Sequence, residues 1–162
     1  MNASKKLLII GGLALGIWSM GFGLYYAVFV EHQTLDQIGT SLASGFTLAA
    51  ERHIPEAQEA LAASAEGTYN YARQVDAHGH WIGLAMLLIV LGAAFDRVGF
   101  SERLRFILAL GLFLGAALFP LGVLLETVSR GSGPQFLAIA GSALIIISLA
   151  GISAGFARAP EP

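Results

Sequence analysis

The sequence predicts an all-α integral membrane protein, a four-helix bundle with an extramembrane helical hairpin between spans 1 and 2. Of its 162 residues, 56% are hydrophobic and 12% are charged, whereas about a quarter of the residues in soluble domains are charged. The apolar residues form four long blocks, and one polar segment of about 45 residues separates the first two. Nothing in the composition indicates a second domain, so residues 1–162 are predicted to form a single membrane domain.

The predicted spans are residues 7–30, 77–96, 105–126 and 135–157. A helix needs about 20 residues to cross the hydrocarbon layer. The block from Trp81 to Phe95 offers only 15 before Asp96, so the second span is expected to begin near Ala77. The first block, with 24 uncharged residues, is long for a signal peptide and is predicted to be an uncleaved anchor.

Positive charges predict the orientation, because cytoplasmic loops carry an excess of Lys and Arg. One side of the membrane would hold six: Lys5, Lys6, Arg97, Arg103, Arg105 and Arg158. The other side would hold three: Arg52, Arg73 and Arg130. Both termini are therefore predicted to be cytoplasmic, in a bacterial-type inner membrane, with residues 31–76 on the outer side.

The segment 31–76 reads as two helices. Thr34 to Gln37 fits a capping box at the start of the first helix, and an apolar stripe follows at helical spacing: Leu35, Ile38, Leu42 and Phe46. Pro55 suits the first turn of the second helix, and Gly67 is a predicted weak point in it. The hairpin is expected to lie over the outer end of the bundle, with its second arm running almost directly into the second span.

Two pairs of glycines have GxxxG spacing, Gly12 with Gly16 and Gly111 with Gly115. This spacing lets helix backbones approach closely. The glycines indicate either packing within the chain or contact with a partner or a second copy, and the sequence leaves both interpretations open.

All four histidines lie between positions 32 and 80, and the predicted topology gathers them at one face of the membrane. Ionisable groups at membrane depth usually face a partner, a cavity or a ligand, and imidazole is the commonest metal ligand. The predicted metal ligands are His80, His78, His53, His32, Glu126 and Asp76. A copper or zinc ion suits such a set. For haem b, the predicted cofactor-binding residues are His78, His80 and His53.

Spacing limits this hypothesis. His78 and His80 point about 200° apart on a regular helix, so one ion takes both only if Gly79 breaks the helix. Asp76 lies four residues before His80 and is placed to accept a hydrogen bond from its ring. The alternative, which the sequence leaves open, is that the histidines are structural or handle protons.

The stretch from Asp76 to Leu84 resembles the HxH-plus-apolar-helix segments of membrane proteins related to haem–copper oxidases. The resemblance covers about a dozen residues, and the other membrane-helix histidines of that family are missing. It implies ligation of haem or copper by His78 or His80, without implying oxidase activity.

Several classes of function are excluded. The chain has no cysteine, which rules out disulfides and iron–sulfur clusters, and it has no basic run to bind nucleic acid. No nucleotide-binding or hydrolase motif occurs, and no catalytic residue is predicted. The predicted function is metal or haem binding in redox chemistry, metal handling or assembly of a respiratory or oxygenase complex. The alternative is a non-catalytic accessory subunit that packs, through its glycine-rich faces, against a larger membrane complex or another copy.

Overall fold

The computed structural model describes residues 1–158, so the last four residues of the predicted domain lie outside the described part. Within residues 1–158 there are five α-helices: α1 Ala3–Phe29, α2 Glu31–Ala50, α3 Ile54–Ala94, α4 Glu102–Leu125 and α5 Ser132–Ala157. A short 3-10 helix, Phe95–Arg97, follows α3. Helices α1, α3, α4 and α5 are long and apolar enough to cross a membrane. The all-α class and the four apolar helices are confirmed.

Helix α3 is 41 residues long, about 60 Å at 1.5 Å per residue, and it contains both part of the polar segment and the second apolar block. The predicted weak point at Gly67 does not interrupt it. Ile38 of α2 packs over Gly67, and the Ser64 hydroxyl donates a hydrogen bond to the Ile38 carbonyl at 3.1 Å. The missing side chain at Gly67 therefore lets α2 approach, and the helix stays continuous.

Helices α1 and α2 together run antiparallel to α3. The contacting pairs have rising residue numbers in α1 and α2 and falling residue numbers in α3: Leu8 with Gly92, Gly16 with Ala85, Ser19 with His78, Glu31 with Tyr71, and Gly45 with Ala57. Only Val30 separates α1 from α2. We call residues 31–76, which include α2, the turn after it and the first part of α3, the arm. Its helix α2 packs against α3 and, more lightly, α1.

The predicted capping box at Thr34 is wrong, because α2 begins three residues earlier, at Glu31. The backbone N–H of Thr34 donates to the Val30 carbonyl at 3.0 Å, and its hydroxyl donates to the same oxygen, also at 3.0 Å. The Val30 N–H in turn donates to the Tyr26 carbonyl at 2.9 Å, so helical hydrogen bonding runs from α1 through Val30 into α2. Pro55 does lie in the first turn of α3, as predicted.

Both predicted glycine pairs pack inside the chain. Gly12 and Gly16 face Ala85 of α3, and Gly111 and Gly115 face α5. Helix α5 packs mainly against α4, at its closest where Gly141 meets the Phe119 backbone. These glycine faces are therefore covered by neighbouring helices and are not a surface for a partner.

Helix α2 ends in a Schellman motif at the tip of the arm. The His53 N–H donates to the Leu48 carbonyl at 2.9 Å and the Arg52 N–H to the Ala49 carbonyl at 3.1 Å. Arg52 has a φ of 66°, at the position where helices usually place glycine. A side chain in this left-handed region costs about 1–2 kcal/mol.

We expect Arg52→Gly to stabilise the tip by about 1 kcal/mol, because glycine adopts this φ without a Cβ clash. Amide hydrogen exchange across residues 45–60 should slow. The control is Gln58→Gly, at an exposed position inside α3, which should cost about 1 kcal/mol. Faster exchange in Arg52→Gly would contradict this account of the tip.

Candidate functional site

Two of the predicted ligands lie on the exposed surface of the arm. The side chain of His32 is 88% exposed and its Nε2 lies 3.3 Å from Asp36, one turn along α2. His53 is at the tip, with Nδ1 3.8 Å from Glu51. Since 25 residues of helix separate His53 from His78, the two are about 37 Å apart. His53 and His78 therefore do not share a site.

His78 joins α3 to α1. Its Nδ1 lies 3.0 Å from the Ser19 carbonyl oxygen, so this nitrogen carries the proton and donates. In return the Ser19 hydroxyl donates to the His78 carbonyl at 3.1 Å. The imidazole ring lies directly over Gly23. A ring that carries a single proton, on Nδ1, has Nε2 free as an acceptor.

His80 faces away from α1, as the 200° separation predicts. It is exposed, and its ring centroid lies 4.8 Å from that of Phe119 on α4. Trp81 follows it into the interior, where it is 2% exposed and donates its indole N–H to the Ala117 carbonyl at 3.3 Å. The HxH stretch therefore divides between two sides of α3, with an unbroken helix at Gly79.

The two predicted carboxylate ligands are paired with Arg73. Its guanidinium lies 3.3 Å from Asp76 and 3.9 Å from Glu126, and Glu126 also accepts a hydrogen bond from Tyr69 at 2.9 Å. Asp76 therefore pairs one turn back along α3 and not with His80. Within the described range, 1–158, no three His, Asp or Glu side chains form a group that could hold a metal ion.

A cluster of polar side chains connects the base of the arm to the turn between α4 and α5. We call it the latch, and its members are Tyr69, Arg73, Glu126 and Arg130. Arg130 lies over the Tyr69 ring, 4.7 Å from its centroid, and 3.7 Å from Glu66. The hydrogen bond to Glu126 raises the pKa of Tyr69, because it stabilises the protonated hydroxyl. The Tyr69 hydroxyl therefore remains a donor at neutral pH.

Sequence reasoning missed the latch and the Ser19–His78 pair. Arg73 with Asp76 has the i,i+3 spacing of a helical ion pair and was detectable from sequence. The partners across helices were not, because Glu126 and Tyr69 are 57 residues apart and only the register of α3 brings them together.

The exposed surface of the arm carries a different kind of feature. Leu35, Leu42 and Phe46 are 45%, 42% and 65% exposed and lie on one face of α2, about a quarter turn from the face that contacts α3. We call them the outer stripe. All four residues were predicted as one apolar face of α2; Ile38 is partly buried and packs over Gly67 of α3, whereas the other three are exposed.

We expect Gly23→Ala to lower the midpoint of thermal unfolding by several degrees, because the added methyl group overlaps the His78 ring and separates it from Ser19. The matched control is Gly21→Ala, two residues earlier, where the added carbon meets open space. Circular dichroism in detergent measures both. Equal midpoints for the two variants would show that the His78 contact contributes nothing to stability.

Comparisons with known proteins add nothing to this arrangement. The chain matches no protein-family model, no curated protein and no solved structure. The resemblance of residues 76–84 to segments of proteins related to haem–copper oxidases stays a prediction from the sequence.

Proposed function

We propose that this chain is a non-catalytic accessory protein of the inner membrane, which presents an acidic two-helix arm to a basic partner in a larger membrane complex. Its four apolar helices cross the bilayer as one bundle, and the arm extends from it between spans 1 and 2. The single observation that carries the proposal is the outer stripe, an apolar face exposed on one helix of an arm whose residues 31–76 include seven acidic side chains.

The outer stripe supports a docking role because it lies outside the predicted spans. Exposed apolar residues on α1 and α5 are expected of helices that face lipid. Leu35, Leu42 and Phe46 lie in the polar segment, where exposure to water is unfavourable. An apolar row at i, i+7 and i+11 suits packing against a partner helix or groove.

The charge of the arm supports a basic partner rather than a second copy. Residues 31–76 hold seven of the eleven acidic residues and two of the nine basic ones. Asp36 and Glu66 are 68% and 65% exposed, and Arg73 is already paired with carboxylates. Two such arms would repel each other, whereas Lys and Arg around an apolar groove would attract one and speed its association.

The latch supports a fixed direction for the arm. Because α3 is one helix through both regions, the arm cannot pivot freely at the membrane boundary. Tyr69 and Arg73 hold its base to Glu126 at the end of α4. A partner would therefore meet the outer stripe already positioned, which lowers the entropic cost of binding.

Metal or haem binding, the other predicted function, has less support from this geometry. His78 is engaged with Ser19, Asp76 and Glu126 with Arg73, and His53 lies at the distant tip. Copper, zinc or a haem spectrum in the purified protein, lost on His80→Ala, would favour that function over the accessory role.

The orientation can be tested because the chain has no cysteine. Single variants Ser44→Cys in the arm and Ser101→Cys in the loop before α4 place thiols at exposed positions. We expect an impermeant maleimide to label Ser44→Cys in intact cells and Ser101→Cys only after permeabilisation. The reverse pattern would place the arm in the cytoplasm.

The docking role is tested by photo-crosslinking in native membranes from position 42, in the outer stripe. We expect the full-length protein to crosslink to a different protein through a Lys- and Arg-rich segment. The yield should fall as salt is raised, since screening weakens charge attraction. The double variant Leu35→Ser with Phe46→Ser should abolish the crosslink.

The control pair is Gln33→Ser with Thr47→Ser, which changes exposed residues of α2 away from the outer stripe and should leave the crosslink intact. A crosslink to a second copy of this chain, or equal loss in the control pair, would contradict the proposed partner. No crosslink from position 42 would remove the docking role altogether.

A further inference from the structure

A cavity of about 250 Å³ opens where α1 passes into α2, against the flank of α3. It lies at the boundary between the apolar spans and the arm. The side chains that give it its chemistry are Tyr26, Glu31, Tyr71, Gln74 and His78, and Gly23, Ala27 and Val75 complete its wall. The cavity is on the opposite side of α3 from the latch, so it is a separate feature.

The lining is acidic and aromatic. Glu31 is its one carboxylate, and no Lys or Arg lines it. One oxygen of Glu31 accepts a hydrogen bond from the Tyr71 hydroxyl at 3.1 Å, which holds the carboxylate in place. The rings of Tyr26 and Tyr71 lie side by side, with centroids 6.3 Å apart. A carboxylate beside aromatic faces is the arrangement that recognises organic ammonium groups.

The cavity also has unused hydrogen-bonding capacity. Tyr26 is 7% exposed, and its hydroxyl has no hydrogen-bond partner in the described part of the chain. The Nδ1 of His78 is committed to the Ser19 carbonyl, which leaves Nε2 as an acceptor. A primary ammonium group carries three N–H donors, and Glu31, Tyr26 and His78 offer acceptors of that kind.

We propose that this cavity binds a primary ammonium group, and that its source is the ethanolamine headgroup of a phospholipid in the leaflet next to the arm. The depth supports a lipid source, because Glu31 and His78 lie at the junction of the apolar and polar parts of the chain. The volume is below the range of sites for drug-sized ligands and suits a headgroup. A soluble amine carries the same ammonium group and would also fit, so the test distinguishes the lipid headgroup from a free amine.

The test places the full-length protein in nanodiscs of equal phosphatidylethanolamine and phosphatidylglycerol, followed by mass spectrometry of the lipid retained by the protein. We expect phosphatidylethanolamine to be enriched about tenfold, the factor that one charge-assisted contact supplies. Glu31→Gln should remove the enrichment, because the neutral amide does not pair with an ammonium ion. The matched control is Glu66→Gln, which replaces a carboxylate beside Arg130 of the latch and should keep the lipid enrichment.

The second measurement is titration calorimetry with free ethanolamine, with the protein in nanodiscs of phosphatidylglycerol alone. Binding of ethanolamine without lipid enrichment, lost in Glu31→Gln, would replace the lipid by a soluble amine as the source. Equal retention of both lipids together with no ethanolamine binding would overturn the site. Enrichment that survives Glu31→Gln would overturn it as well, and thermal unfolding of each variant confirms that loss of binding is not loss of fold.

Discussion

The structure depends on the antiparallel pairing of α3 with α1 and α2. One 41-residue helix lies against two consecutive ones along nearly its whole length, and this pairing sets the register of the polar contacts that α3 makes with α1 and α2. Small residues make the pairing close, with Gly12 and Gly16 facing Ala85, and Gly45 facing Ala57. Because the register is shared, the position of Ser19 against His78 and that of Glu31 against Tyr71 are consequences of the same packing.

Polar side chains close both ends of the apolar region. At one end Lys5 pairs with Asp96, and the Ser4 hydroxyl donates to Glu102 at 2.6 Å. At the other end the latch neutralises Glu126. Helix α4 connects these two levels with 24 residues, about 36 Å at 1.5 Å per residue, which matches the thickness of a bilayer core and part of its interfaces. Charged groups are therefore paired at both ends of this apolar stretch, which would limit their desolvation cost at a membrane interface.

The sequence predicts the helices well and the contacts between them poorly. Four blocks of apolar residues suffice to place four helices long enough to span a bilayer, because the length of a span is set by the bilayer. The spacing of His78 and His80 also predicted correctly that they face different sides of α3. The capping box predicted at Thr34 and the weak point predicted at Gly67 were both wrong. At Thr34 helical hydrogen bonding continues from α1 through Val30, and at Gly67 the packing of Ile38 outweighs the flexibility of glycine.

The number of histidines and their proximity in sequence predicted a shared site, but His53 and His78 lie far apart in the structure. His32, His53 and His78 fall within 47 positions, but a long helix separates residues in space by 1.5 Å for each position. The side chains that do meet come from distant positions, such as Tyr69 with Glu126. Such meetings depend on how α3 packs against α4, which single-sequence periodicity does not contain.

The arm has one internal interface, and that interface is made largely of small residues. Gly45 is the one fully buried residue of α2, so the contact with α3 removes little apolar surface from water. In proteins, most of the stability of a helix comes from tertiary packing of its apolar face. Continuity with α1 and the contact of Ile38 with Gly67 stabilise the base of α2, whereas Leu42 and Phe46, farther along the helix, stay 42% and 65% exposed. A partner that covers them would remove this apolar surface from water and so stabilise the outer half of α2 in the position that the arm already holds.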